Sequence, residues 1–263
     1  ACNLRCTMCA QSDDSLKKDR KAMGLMDFIF YKKIIDEAGQ EGLCSLILAP
    51  RGEPTLNPKI IDMIRYAKDK GVLEIKMNSN ATKLTPELGQ KLLDSGLDIL
   101  VFSVDSYVKD RYEKIRRNAN FESVIENIKN FHHLKQQSKS SLRTRISMLL
   151  IDPLDTAEEA EAFWRPWVDE FAVGHMRPIN GIYYYDPIDD NKPCGYLWER
   201  SFIWFDGKVN PCEQDYKSVL SKWSVKDRSL KSIWQSPEYR ELRTKHKNGL
   251  KNTIYPCDRC QSV

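Results

Sequence analysis

From residue 27 to about residue 180 the apolar positions switch repeatedly between helical and extended spacing. Phe28, Phe30, Ile34, Ile35 and Ala38 share one face of a helix predicted over 27–41, which leads into an apolar strand at 45–49. The same alternation predicts helix 58–70 before strand 73–78, helix 86–95 before strand 99–103, helix 121–137 before strand 143–150, and helix 156–171 before strand 172–178. Thr85-Pro86 and Asn57-Pro58 place proline at a first helical position, where its missing N–H costs nothing. Helices alternating with apolar strands imply a parallel sheet covered by helices, either a complete or partial α/β barrel or an open doubly wound sheet.

The pattern changes after the fifth strand. Residues 181–193 hold Tyr183, Tyr184 and Tyr185 with Asp186, Asp189 and Asp190 and read as a loop, so the expected domains are 1–180 and 181–263. Beyond it, residues 202–205, the pair Asp206-Gly207 and residues 208–210 read as a hairpin, followed by helices at 229–234 and 237–247.

Composition narrows the class without naming it. Of 263 residues, 41% are hydrophobic and 30% charged, with a net charge of +4, as in an ordinary globular protein. Lysine and arginine outnumber acids over 217–251, but no aromatic interleaving accompanies them, so a nucleic-acid partner is not expected. No apolar run approaches the roughly 20 residues that span a bilayer, and no secretory signal pattern opens the chain. A cytoplasmic protein with no membrane partner is expected.

The cysteines carry the candidate chemistry. Cys2, Cys6 and Cys9 form a C-x3-C-x2-C run, and Cys194, Cys212, Cys257 and Cys260 form a second set in the last third of the chain. Three thiolates on one loop can hold three irons of a cubane and leave the fourth open, although zinc and disulfides also use such residues. Four thiols suit either a fully ligated cubane or a structural zinc. Cys44 stands alone and reads as an inert buried thiol. Polar residues follow successive strands: Arg51-Gly52-Glu53-Pro54, Asn78-Ser79-Asn80 and Ser103-Val104-Asp105-Ser106. At the carboxyl ends of barrel strands such groups form a ligand site.

These residues together resemble the radical S-adenosylmethionine (SAM) superfamily. The resemblance implies an α/β fold, a partial (β/α)6 TIM-like barrel, with a small C-terminal twitch/SPASM-like auxiliary-cluster domain at 181–263. It implies two [4Fe-4S] clusters and S-adenosyl-L-methionine, with Cys2, Cys6 and Cys9 on the first cluster and Cys194, Cys212, Cys257 and Cys260 on the second. Gly52-Glu53-Pro54 is similar to the family's GGEP segment, with Arg51 where the first glycine usually stands, and Glu53 is expected to receive the methionyl ammonium. Asn78, Asn80, Ser103 and Asp105 are expected at the same cofactor. Arg145 and Ser147, on one face of their strand, are expected to reach its carboxylate. Met8 takes the place of the family's usual aromatic beside adenine.

The implied activity is reductive cleavage of SAM to a 5′-deoxyadenosyl radical that abstracts hydrogen from a substrate. Gly207-x4-Cys212 and the four-cysteine set resemble the twitch domain of 2-deoxy-scyllo-inosamine dehydrogenase. That likeness points to dehydrogenation of a small polar molecule, sugar- or aminocyclitol-like, with the second cluster accepting an electron. The alternative is peptide or protein modification by side-chain oxidation or epimerisation. An external one-electron reductant such as flavodoxin or ferredoxin is the implied partner. No catalytic residue is singled out; Tyr183, Tyr184, Tyr185, Asp186, His175, Arg177 and Asn180 are positioned where they could face the cavity, with a packing or solvent role the favoured reading for each, and His132-His133 reads as surface.

Overall fold

A computed structural model describes residues 1–18, 23–48, 51–175 and 181–260. Five parallel strands, β1 (Ser45–Leu48), β2 (Glu74–Ser79), β3 (Ile99–Ser103), β4 (Arg143–Leu150) and β5 (Glu170–His175), lie side by side in chain order. That order never reverses, so the sheet has no switch point; it is the wall of a partial TIM barrel rather than an open doubly wound sheet. The described residues thus carry five of the six strands that the resemblance implies.

The elements follow the apolar spacing closely. Before β1 lie a short α1 (Asp14–Lys18) and α2 (Phe28–Gln40); between strands come α3 (Ile60–Asp69), α4 (Pro86–Leu93), then α5 (Lys109–Ile115) with α6 (Phe121–Gln137), and α7 (Ala157–Trp164). Thr85, Asn120 and Thr156 cap α4, α6 and α7 by accepting from the N–H three residues on. The expected helix 156–171 stops at Trp164 because Pro166 cannot continue it; a 3₁₀ turn follows, and β5 begins at Glu170 rather than Ala172. Helix α5 was not anticipated, since seven residues with only Tyr112 and Ile115 buried carry too little periodicity.

One face of the sheet is core: Ile75, Met77, Leu100, Phe102 and Ile146 are fully buried, and Phe102 meets Phe131 of α6 edge-on. Period-two alternation turns Lys76, Asn78, Val101, Ser103, Arg145, Ser147 and Glu170 to the opposite, concave face. Registers place Asn78, Val101, Arg145 and Glu170 in one row, and Ser103 beside Ser147 in the next.

The C-terminal elements are α8 (Tyr196–Glu199), the antiparallel hairpin β6 (Phe202–Ile203) and β7 (Val209–Asn210), α9 (Leu230–Trp234) and α10 (Pro237–Lys247). Gly207, at φ +91°, makes the expected turn. The chain divides into two compact units, Ala1–Thr7 with Phe28–Met176, and Met8–Asp27 with Arg177–Val263. The second unit therefore differs from the expected 181–263 by recruiting an N-terminal segment. The cause is Asp13, whose Oδ2 accepts from Tyr216 (2.7 Å) and Tyr184 (2.9 Å), while Leu16 packs with Ile182, Tyr183 and Tyr216. Cys44 differs too: it is exposed, ahead of edge strand β1, and donates to the Gly42 carbonyl. Among the described residues no helix is long and apolar enough to cross a membrane.

Candidate functional site

In the first unit the loop bearing Cys2 and Cys6 is held by backbone bonds from Arg5 N–H to the Arg117 carbonyl (3.0 Å) and Thr7 N–H to the Ile115 carbonyl (2.9 Å), flanking Arg116 at the end of α5. Arg116 is buried and pairs at 2.7 Å with Asp105, itself 1% exposed, just beyond β3. Burial opposes the guanidinium charge, but Asp105 and the nearby Cys6 thiol outweigh it and raise the Arg116 pKa. Asp105 also accepts from Leu149 N–H at 3.1 Å, tying β3 to β4.

The start of this loop is fixed by the segment after β1. Glu53 N–H donates to the Ala1 carbonyl at 2.8 Å. The Glu53 carboxylate accepts from Thr55 N–H (3.1 Å), Thr55 Oγ1 (2.6 Å), Ser79 Oγ (2.8 Å) and Asn80 N–H (2.7 Å). Asn80 then donates to Asn3 Oδ1 at 3.1 Å, and Asn3 donates to Thr82 at 2.8 Å. Gly52 sits at φ +100°, where a Cβ would stand 2.5 Å from the Ala1 carbonyl oxygen. Gly52→Ala is expected to break the bond between Glu53 and Ala1 and to destabilise the chain by about 1–3 kcal/mol. Thermal unfolding together with iron retention at the N-terminal loop checks this; unchanged values would show the contact to be idle.

Three residues expected at the cofactor have internal partners. Glu53 and Asp105 are buried, and their carboxylates also brace the cysteine loop. Arg145 lies near the amino end of β4 and is held by Glu170, with Nε at 2.6 Å from the carboxylate. By contrast, Ser103 and Ser147 make no side-chain hydrogen bond among the described residues, and Asn78 Oδ1 is buried without a partner. Pro54 opens a 3₁₀ turn capped by Glu53, and Met8 is half-buried between Cys6 and Cys9.

In the second unit, Cys9 caps the 3₁₀ turn Ala10–Ser12, which leads to Asp13. Burial works against the Asp13 charge, but hydrogen bonds from Ser15, Tyr216 and Tyr184 prevail and hold the carboxyl well below the usual carboxylate range. Because the folded value is depressed, this stabilisation is present above the unfolded pKa of about 3.9 and is lost as pH falls below it. Asp13→Asn is expected to cost about 2–3 kcal/mol at pH 7, the worth of hydrogen bonds to a charged acceptor, and to flatten the loss of stability below pH of about 4. Urea unfolding of both proteins across that range measures it.

The four later thiols lie near one another and are half-buried. Burial raises Cys194, Cys212 and Cys257, the last up to about 12, and Cys260 raises each of them further. None of the eight cysteines forms a disulfide. Among the described residues no three His, Cys, Asp or Glu side chains converge on the position of a single metal ion. A cubane distributes its ligands over four irons and has no such requirement.

A profile of the radical SAM superfamily matches residues 1–165. The chain belongs to that superfamily. The SPASM iron-sulfur cluster-binding domain matches residues 194–261. The chain is 25% identical over its whole length to a tungsten-containing aldehyde ferredoxin oxidoreductase cofactor-modifying protein of Pyrococcus furiosus, spanning 86% of it. In fold it is similar to BtrN in complex with AdoMet and 2-DOIA (TM-score 0.68, 16% identity, 100% of this chain and 89% of that one). It is also similar to anSMEcpe with AdoMet and the Cp18Cys peptide (TM-score 0.66, 16% identity, 99% and 85%).

As a radical SAM enzyme with a SPASM domain, the protein uses a [4Fe-4S] cluster, SAM and an auxiliary iron-sulfur cluster. The residues present fit these groups. Arg116 Nε, beside Cys6, is a buried donor with no acceptor. Thiols that are costly to ionise in protein alone become suitable ligands once irons neutralise them. N–H groups already point at sulfur, from Leu4 to Cys2 (3.4 Å) and from Gln214 to Cys212 (3.3 Å).

The tyrosines that follow residue 180 have the following partners in the second unit. Tyr183 is buried and donates to Asp215, while Tyr184 donates to Asp13 and receives the Lys217 ammonium at 2.8 Å. Tyr185 and Asp186 are exposed. Arg177 and Asn180 and the His175 side chain lie outside the described residues. His132 and His133 pack edge-on against Trp167. Arg116, Asp13, Tyr216, Asn210 and His246 were not anticipated. Of these, only Asn210 gave a signal, a polar residue in a strand two places before Cys212.

Proposed function

We propose that the protein is a radical SAM dehydrogenase of a small polar, sugar- or aminocyclitol-like molecule. When bound, the first cluster and SAM would supply the chemistry for abstracting a substrate hydrogen atom, and the auxiliary cluster would take the electron of the remaining substrate radical while its proton leaves to a base or solvent. Cys2, Cys6 and Cys9 hold the first cluster and leave one iron for SAM. Gly52, Glu53 and Pro54 fix the loop at Ala1, and Asn78, Ser103 and Ser147 offer unengaged polar groups on the concave face. Arg116 keeps a positive charge beside Cys6.

The observation that carries this reading is the set Cys194, Cys212, Cys257 and Cys260, in which burial raises the first three thiols and Cys260 lies close enough to act on each of them. Four thiolates complete a cubane, which leaves an electron outlet and no open iron for substrate. An external one-electron reductant of the flavodoxin or ferredoxin type would start the cycle. Peptide modification is the second reading, supported by the likeness to the peptide-bound anSMEcpe structure.

The test is anaerobic reconstitution with SAM, reductant and C-deuterated polyols, amino sugars or peptides. Deuterium in 5′-deoxyadenosine from a polyol or amino sugar supports the proposal. Transfer only from peptides overturns it in favour of the second reading.

A further inference from the structure

Asn210, the last residue of β7, is 0% exposed, and neither its Oδ1 nor its Nδ2 has a hydrogen-bond partner. Leaving a buried polar group unpaired is unfavourable, and a leucine of similar size would avoid the loss entirely. Its surroundings are otherwise well satisfied: the Val209 carbonyl accepts from Ser221 Oγ at 2.8 Å, and Asp215 accepts from Val219 N–H and Leu220 N–H. The exception lies two residues before Cys212, whose thiol is itself removed from water.

A second orphan lies at another thiol of the set. His246 is 1% exposed, and its Nδ1 accepts from Cys194 N–H at 3.3 Å. That bond places the ring hydrogen on Nε2, which is buried without an acceptor. Asn210 Nδ2, two residues before Cys212, and His246 Nε2–H, on the ring bonded to Cys194 N–H, thus have no acceptor among the described residues. An iron-sulfur cubane brings sulfides and thiolate sulfurs, which accept such bonds.

We propose that the Asn210 side-chain amide donates to a sulfur of the auxiliary cluster and raises its reduction potential, with His246 Nε2–H as a second donor in the same surroundings. This rests on the reading of Cys194, Cys212, Cys257 and Cys260 as ligands of an electron-accepting cluster. Reduction adds negative charge to the sulfurs, and an N–H dipole aimed at them stabilises the reduced form more than the oxidised one. Asn210 is in this sense a positioning residue that sets how readily the cluster takes its electron.

The test is an EPR-monitored redox titration of the anaerobically reconstituted full chain, as wild type and as Asn210→Leu. The auxiliary cluster of the variant is expected to be harder to reduce by about tenfold in equilibrium constant, about 59 mV lower for one electron. The N-terminal cluster, unchanged, is the internal reference. Wild-type protein carrying ¹⁵N in its asparagine side chains should show a hyperfine coupling to the reduced auxiliary cluster that Asn210→Leu lacks. If Asn210→Leu loses the auxiliary iron, presence of that coupling in the wild type supports the proposal and its absence overturns it. About eight irons per chain with the same auxiliary midpoint in both proteins overturns the proposal alone, whereas about four irons in the wild type removes the auxiliary-cluster reading and the proposal with it.

Discussion

Asp105→Ala is expected to leave the reconstituted protein with about four irons rather than about eight, and to reduce 5′-deoxyadenosine formation to background. The effect of Asp105 runs through Arg116. Removing the carboxylate leaves a buried guanidinium unpaired, at a cost of about 3–5 kcal/mol. The same change removes the acceptor for Leu149 N–H and so loosens β3 from β4. Arg116 lies between the two carbonyls that hold Arg5 and Thr7, so its displacement reaches the backbone bearing Cys2 and Cys6. Asp105→Leu combined with Arg116→Met separates the contributions. An apolar pair of similar size is expected to restore stability to urea, as buried-pair replacements often do, without restoring the charge beside Cys6. Full iron content and normal SAM cleavage in Asp105→Ala would show that the loop stands without this support.

Cys212→Ala is expected to divide the activity in two. SAM cleavage at the N-terminal cluster continues, while oxidised product falls by more than the about 100-fold typical of changes outside a metal's own ligands. Iron should drop to about four per chain and the auxiliary EPR signal should vanish. The substitution costs little through lost packing, since a thiol is a small group, so thermal stability without metal should change little. Measuring 5′-deoxyadenosine and product in the same reaction distinguishes an electron outlet from a structural staple. If both fall in proportion, the second cluster maintains the fold; if product persists, some other group accepts the electron.

The fold was legible where burial follows a simple period. β3, β4, α6 and α10 occupy the residues their apolar spacing implies, because one face of each meets a continuous core. The miss at 165–171 came from reading apolar content through Pro166, whose missing N–H outweighs the aromatics around it. The cysteine sets were legible because their meaning lies in local spacing. The roles of Glu53 and Asp105 were not, since a carboxylate at a strand end reads alike whether it faces a ligand or a buried donor. Only the fold brings Arg116 to Asp105 and Asn80 to Glu53. Asn210 shows the converse: its chain position was visible, but its lack of any partner is a property of the packed interior.

Asp13 and Tyr216 are 203 residues apart in the chain, yet they share one hydrogen bond within one unit. A ribosome adding about 5–20 residues per second makes the first of them roughly 10–40 s before the second emerges. Until residues 182–184 emerge, Asp13 has its neighbour Ser15 as a side-chain donor, and Leu16 lacks the wall of Ile182 and Tyr183; Tyr216 completes both later. The segment bearing Asp13 is therefore made well before the partners that settle it. Pausing or truncation before Tyr216 is made would leave it exposed to proteases, while the strands made in the meantime fold.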